Sequence, residues 1–131
     1  MSLWLPTGVV SLRGSKSVDA TVEKLRSMLQ ANKVELFALV DHSGEAERAG
    51  LRMPNTKLLI FGNPALGTPI MLAAPAAALD LPLKILVSED ASAQTWITYL
   101  DPRYLLERHQ IPQELEANIA AIANLAAKAA D

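Results

Sequence analysis

The chain predicts an α+β fold: a two-layer sandwich with a mostly antiparallel sheet of about five strands and helices packed on one face. Three observations lead there. Short apolar runs with β-branched residues alternate with stretches of helical spacing along the 131 residues. The last two strand-like runs are joined only by Asp90-Ala91-Ser92-Ala93, a hairpin-length link too short for the crossover a parallel pair needs. Half of the residues are hydrophobic and a fifth are charged, which is enough apolar material for one core without staples.

The elements follow in order. Gly8 to Arg13 reads as a first strand that Gly14 ends. Ser17 is an N-cap, and Val18, Val22, Leu25 and Leu29 form the buried stripe of a helix. Asn32 is expected as its left-handed C-cap. Val34 to Asp41 is a strand with Val34, Leu36, Ala38 and Val40 on one face, and Glu35, Phe37, Leu39 and Asp41 on the other. The pattern predicts a strand covered at its centre. A short helix at Glu45 to Ala49 stops at Gly50. Lys57 to Phe61 is a continuous apolar strand, and a helix or broken helix runs from Pro64 to Ala74. Asn63-Pro64 and Thr68-Pro69 are each read as cap-and-proline pairs. Leu83 to Glu89 and Gln94 to Leu100 form the hairpin. Asp101 caps a helix to His109, and an alanine-rich helix covers 112–130. The whole, 1–131, is read as one domain.

Composition narrows the function. A formal net charge of -2 offers no basic face for nucleic acid or an anionic membrane. Cysteine is absent, so disulfides, thiol catalysis and thiolate metal sites are excluded. Met1 to Pro6 has neither a positive start nor a long apolar run, and no window reaches the roughly 20 apolar residues of a membrane helix. These features lead us to expect a cytoplasmic protein.

Five short motifs stand in order: Val40-Asp41-His42, Phe61-Gly62-Asn63-Pro64, Gly67-Thr68-Pro69-Ile70-Met71, Ala78-Leu79-Asp80-Leu81-Pro82-Leu83-Lys84, and Tyr99-Leu100-Asp101-Pro102 followed by Arg108-His109. The ordered set resembles the family catalogued as domain of unknown function 302, over about Gly8 to His109. The resemblance implies a compact two-layer α/β domain, a bacterial or archaeal source and a homodimer; it implies no reaction and no cofactor. Two departures stand out. Ala91-Ser92-Ala93 replaces a glycine-bearing turn, which predicts a longer or looser hairpin. Asn32-Lys33 replaces Gly-Phe before the second strand.

Candidate chemistry gathers at strand ends. Gly62 and Gly67 have the glycine spacing of a nucleotide phosphate loop, but Thr68 stands where that loop needs lysine. A nucleotide-hydrolysing loop is therefore rejected, while a weaker anion or carboxylate site at the helix start remains open. Asp41 beside His42 could orient a general base, although adjacent strand residues point to opposite faces. We expect a small-ligand pocket lined by His42, Gly62, Asn63, Pro64, Thr68, Tyr99 and Asp101, with His42 near Asn63. The alternative is a metal-dependent hydrolase or oxidoreductase using His42 with Asp101 or His109. Each residue also has a purely structural reading. Asp101 serves as an N-cap, Asp80 as a turn residue, Tyr99 as a half-buried phenol and His109 as a helix end.

Overall fold

The computed structural model describes residues 5–131; part of the amino-terminal reading, on 1–4, lies outside them. Five strands, β1 (Val9–Gly14), β2 (Glu35–Asp41), β3 (Thr56–Gly62), β4 (Leu83–Glu89) and β5 (Thr95–Leu100), form one sheet in the order β1-β5-β4-β3-β2. Every neighbouring pair is antiparallel. The helices are α1 (Val18–Ala31), α2 (His42–Arg48), α3 (Pro64–Ala73), α4 (Pro102–His109) and α5 (Ala121–Ala130), with 3-10 segments at Pro75–Leu79 and Gln113–Asn118. The α+β sandwich expected from the sequence is the fold observed.

The core explains the layering. Val18, Val22, Leu25 and Leu29 of α1 meet Leu59, Phe61, Ile85, Val87 and Ile97 of the sheet, and Ile122, Ala126 and Ala129 of α5 complete the cluster. Each large aliphatic side chain buried there contributes about 1.5–3 kcal/mol relative to exposure. A second cluster joins Ile70, Ala74, Ala77, Leu105, Leu106, Ile111 and Ile119 beside Leu83 and Leu100, where β3 and β5 end. α1 is also tied to the start of β3: Asp19 Oδ1 accepts from Lys57 Nζ at 2.8 Å and from Asn55 Nδ2 at 3.0 Å. The Lys57 hydrogen bond is the main cause that holds the Asp19 carboxyl below its ordinary value.

Several local expectations change. β2 is an edge strand exposed through its middle, not covered there. A bulge at Phe37 breaks its alternation: Leu36 pairs with Phe61, but Ala38 and Val40 pair with Ile60 and Leu58. Leu36 therefore faces the core, while Ala38 and Val40 take the open face. Asn32 is not left-handed (φ −94°); its side chain donates to the Met28 carbonyl instead, and Lys33 takes the left-handed turn at φ 56°. Thr68-Pro69 starts no second helix, because α3 continues through Pro69. The segment 112–130 is not one helix; it is a 3-10 turn and α5, with a break at Ile119 and Ala120. The break lets Leu115 and Ile119 serve the second cluster while Ile122 serves the first.

The hairpin is tight despite lacking glycine. Asp90 Oδ1 accepts from the Ser92 and Gln94 amides at 2.9 and 3.0 Å, and Oδ2 accepts from Trp96 Nε1 at 2.8 Å. Ala93 adopts the left-handed conformation (φ 62°) that a glycine would take at lower cost.

Two predictions follow from these contacts. Gly8 has φ +85°, and a Cβ there would stand 2.3 Å from the Tyr104 ring of α4. Gly8→Ala should lower stability by roughly 2–5 kcal/mol in urea titration, combining backbone strain with overpacking. The Trp96, Gln94 and Ser92 donors hold the Asp90 carboxyl below its ordinary value, the indole bond contributing most. A carboxyl lowered in the folded state stabilises above its unfolded value and loses that effect as pH falls through the folded one. Asp90→Asn should therefore lower the urea midpoint at pH 7 and flatten its decline toward about pH 3.

Candidate functional site

The register sorts the loops to two ends of the sheet. β3 runs toward Gly62 while β2 runs toward Asp41, with Glu35 opposite Gly62 and Asp41 opposite Lys57. His42 therefore starts α2 at one end, and Asn63 starts α3 at the other, the length of a seven-residue strand away, or about 20 Å. Asp101 and His109 lie at the Asn63 end, because β5 finishes opposite Val9, at the start of β1. The expected closeness of His42 to Asn63 does not occur, and neither do the proposed metal pairs of His42 with Asp101 or His109. Among the described residues no group of three histidine, aspartate or glutamate side chains has a metal-binding arrangement.

His42 is exposed, and Asp41 does not orient it. Asp41 is instead the N-cap of α2: Oδ1 accepts from the Gly44 amide at 2.9 Å and from Ser43 Oγ at 2.8 Å. The Gly44 bond, then the Ser43 bond, hold its carboxyl below the ordinary value. Nearby, Arg48 pairs with Glu45 and Lys57 with Asp19.

At the other end the family-like corner forms a groove. Asn63 caps α3, its Oδ1 accepting from the Ala65 amide at 3.0 Å, and Pro64 opens the helix. Gly62, Asn63, Pro64 and Thr68 line a cavity of about 150 Å³ together with Phe37, Met71 and Pro82. A wider hollow of about 370 Å³ shares Gly62, Asn63, Leu66 and Asn118 and extends to Met28 and Leu125. The lining is mainly apolar, so this groove suits an apolar body and is no phosphate cradle. Its glycines serve space, not backbone strain. Neither has a positive φ; a Cβ on Gly62 would make ordinary contact with Phe37 and Pro82 at 3.6 Å, and one on Gly67 would meet nothing within 4 Å.

Tyr99 and Asp101 do not line this groove. Tyr99 is half-buried, and its phenol is pushed above the ordinary value first by burial and then by the Asp101 charge. Asp101 caps α4 by accepting from the Arg103 amide at 3.1 Å, and its own amide donates to the Gly8 carbonyl at 2.8 Å.

A part-buried polar pair stands at the Asn63 end of the sheet. His109 Nε2 stands 2.5 Å from Asp80 Oδ2, and Arg108 Nε reaches the same oxygen at 3.3 Å. The His109 side chain is only 7% exposed. Arg108 Nη1 also donates to the Tyr104 hydroxyl at 3.2 Å. These contacts staple the loop before β4 to the end of α4. Asp80 is therefore more than a turn residue, and His109 more than a helix end. Two separate motifs each carried one partner, but nothing in the spacing of residues 80 and 109 announced the contact.

The comparisons with known proteins agree with this architecture. A crystal structure of an uncharacterized conserved DUF302 protein from Bacillus stearothermophilus superposes with a TM-score of 0.78, covering 96% of this chain and 98% of that one at 18% identity. The Fluoride-specific ion channel FluC 1 of Brucella suis biovar 1 (strain 1330) is 35% identical over 122 residues, which are 93% of this chain and 48% of that protein. FluC 1 of Brucella abortus biovar 1 (strain 9-941) is likewise 35% identical over 122 residues, covering 93% of this chain and 45% of the relative. The chain thus spans about half the length of the curated relatives it matches, and no helix among the described residues is long and apolar enough to cross a membrane. The match to the family extends past the five motifs into α5, through residue 129. Over residues 10–129 the sequence fits the domain of unknown function DUF302, and the chain belongs to that family.

Proposed function

We propose that this chain is a homodimeric binding domain whose Gly62–Thr68 groove receives a small, largely apolar ligand or the apolar segment of a partner. The single observation that carries the reading is the groove itself. It is an apolar hollow at a strand-to-helix corner, walled by Gly62, Asn63, Pro64 and Thr68, where removing side chains leaves space that the backbone does not need. The absence of cysteine and the slightly acidic balance support a cytoplasmic setting.

The dimer rests on β2. Its outer backbone edge is unpaired among the described residues, and five consecutive residues, Leu36 to Val40, are apolar. Phe37 and Leu39 are exposed, as are Leu51 and Met53 in the segment that follows α2. Long apolar edges of this kind are normally blunted by charge or covered. Antiparallel pairing with β2 of a second copy covers it by a two-fold contact and joins the two sheets.

Native mass spectrometry of freshly purified protein should show a dimer carrying retained small-molecule mass. Gly67→Leu should remove that mass and leave the dimer intact, whereas Leu39→Lys should halve the assembly. A monomer would overturn the dimer, and retained mass unaffected by Gly67→Leu would remove the groove as its site. Gly67→Ala, in a helix interior with open space around it, should raise stability by about 0.5–1 kcal/mol in urea titration.

A further inference from the structure

β4 and β5 are paired only from Leu86 opposite Thr98 to Glu89 opposite Thr95. Below that point Leu83 to Ile85 and Tyr99 to Leu100 leave the ladder, although β4 stays paired with β3 and β5 with β1. The strands splay, and a cavity of about 170 Å³ opens between them. Its walls include Leu58, Leu86, Leu100 and Leu105, with Lys84 and Tyr99 beside them. It is a separate hollow from the Gly62–Thr68 groove, with Leu83 of β4 lining both.

Lys84 gives this cleft its chemistry. Its half-buried side chain donates from Nζ to the Pro82 carbonyl at 3.1 Å and the Asp80 carbonyl at 3.3 Å. Two neutral carbonyls position the ammonium without neutralising it, and Lys84 forms no ion pair among the described residues. Asp80, which also lines the cleft, has its carboxylate engaged by His109 and Arg108. An ammonium has three donors, so one remains for a ligand. A lysine held in this way against an apolar wall calls for an anion with an apolar body, because charge-assisted bonding and burial of the body then act together.

We propose that the β4–β5 cleft is a second ligand site, which binds a small amphipathic carboxylate with its carboxyl group on Lys84 Nζ and its hydrocarbon part against Leu58, Leu86, Leu100 and Leu105. The space fits one six-membered ring or a short alkyl chain, since a cavity of about 150 Å³ accommodates benzene. The proposal is independent of the groove and of the dimer edge, neither of which uses Lys84.

Benzoate is the probe, titrated into isotope-labelled full-length protein and followed by amide NMR. Saturable shifts should appear at Lys84, Leu86 and Leu100, with a dissociation constant on the order of 1 mM or tighter. Benzyl alcohol, which keeps the ring and lacks the charge, should bind at least about tenfold more weakly. Sodium fluoride, with charge and no apolar body, should not compete. Lys84→Met should weaken benzoate at least about tenfold, while Lys84→Arg keeps part of the affinity. Leu86→Phe, which fills the cleft and leaves the ammonium in place, should abolish binding and guards against a loop that loosens when Lys84 is changed. Three results would each overturn the site: no saturable binding, affinity unchanged in both Lys84→Met and Leu86→Phe, or shifts confined to Gly62–Thr68. None of them counts against the groove, so the two readings fail separately.

Discussion

Burial of a single sheet face beneath α1 and α5 is the constraint from which the rest of the architecture follows. Leu59, Ile85, Val87 and Ile97 stand on that face with no exposed surface. A slip of one residue in β4 or β5 would turn its buried side chains to the open face and bring Lys84, Ser88 or Thr98 inward. Register is therefore strongly specified, and with it the end of the sheet at which each connection emerges. That is why α3 and α4 start beside one another at the end where β3 and β5 finish, and why α2 starts at the opposite end. The second apolar cluster, the Asp80–His109 pair and the groove all inherit their position from this pairing.

Polar side chains then finish corners that the core leaves open. Ser17, Asp41, Asn63 and Asp101 each cap a helix with a side-chain oxygen. Asp90 closes the hairpin with three donors. The Asp80–His109–Arg108 cluster does the same over a longer span, satisfying buried polar atoms that would otherwise cost free energy. No buried side-chain nitrogen or oxygen among the described residues lacks a partner. Lys84 adds an ammonium to this pattern, half-buried and held by carbonyl oxygens alone.

Space is distributed as unevenly as charge. Gly8 sits where both conformation and packing demand glycine, under the Tyr104 ring. Gly62 and Gly67, the residues that most resemble a phosphate loop in the sequence, are demanded by neither. Their absent side chains leave a hollow, and the chemistry of that hollow comes from the apolar residues around it. The splayed β4–β5 region is a second hollow, and its ammonium makes it the more selective of the two.

Much of this was readable from the residues, because short-range chemistry is local. Ser17, Asn63-Pro64 and Asp101-Pro102 announce helix starts through donors within three residues, and the hairpin follows from the brief Asp90–Ala93 link. The stripe Val18, Val22, Leu25 and Leu29 marks the buried side of α1. Other features depend on long-range pairing that no local pattern encodes. The Phe37 bulge reverses the faces of β2, and the strand order leaves β2 at an edge although its five apolar residues suit a covered strand. The antiparallel β2–β3 register separates His42 from Asn63, although both stand at strand ends in the sequence. Asp80 meets His109 because α4 packs back over the loop before β4. The sequence by itself determined the elements, their caps and the fold class, since these rest on propensity and neighbouring hydrogen bonds. Which strand ends share a site, and where the sheet parts to leave Lys84 unneutralised, were decided by the tertiary structure, because only the packing of distant segments around one buried face selects them.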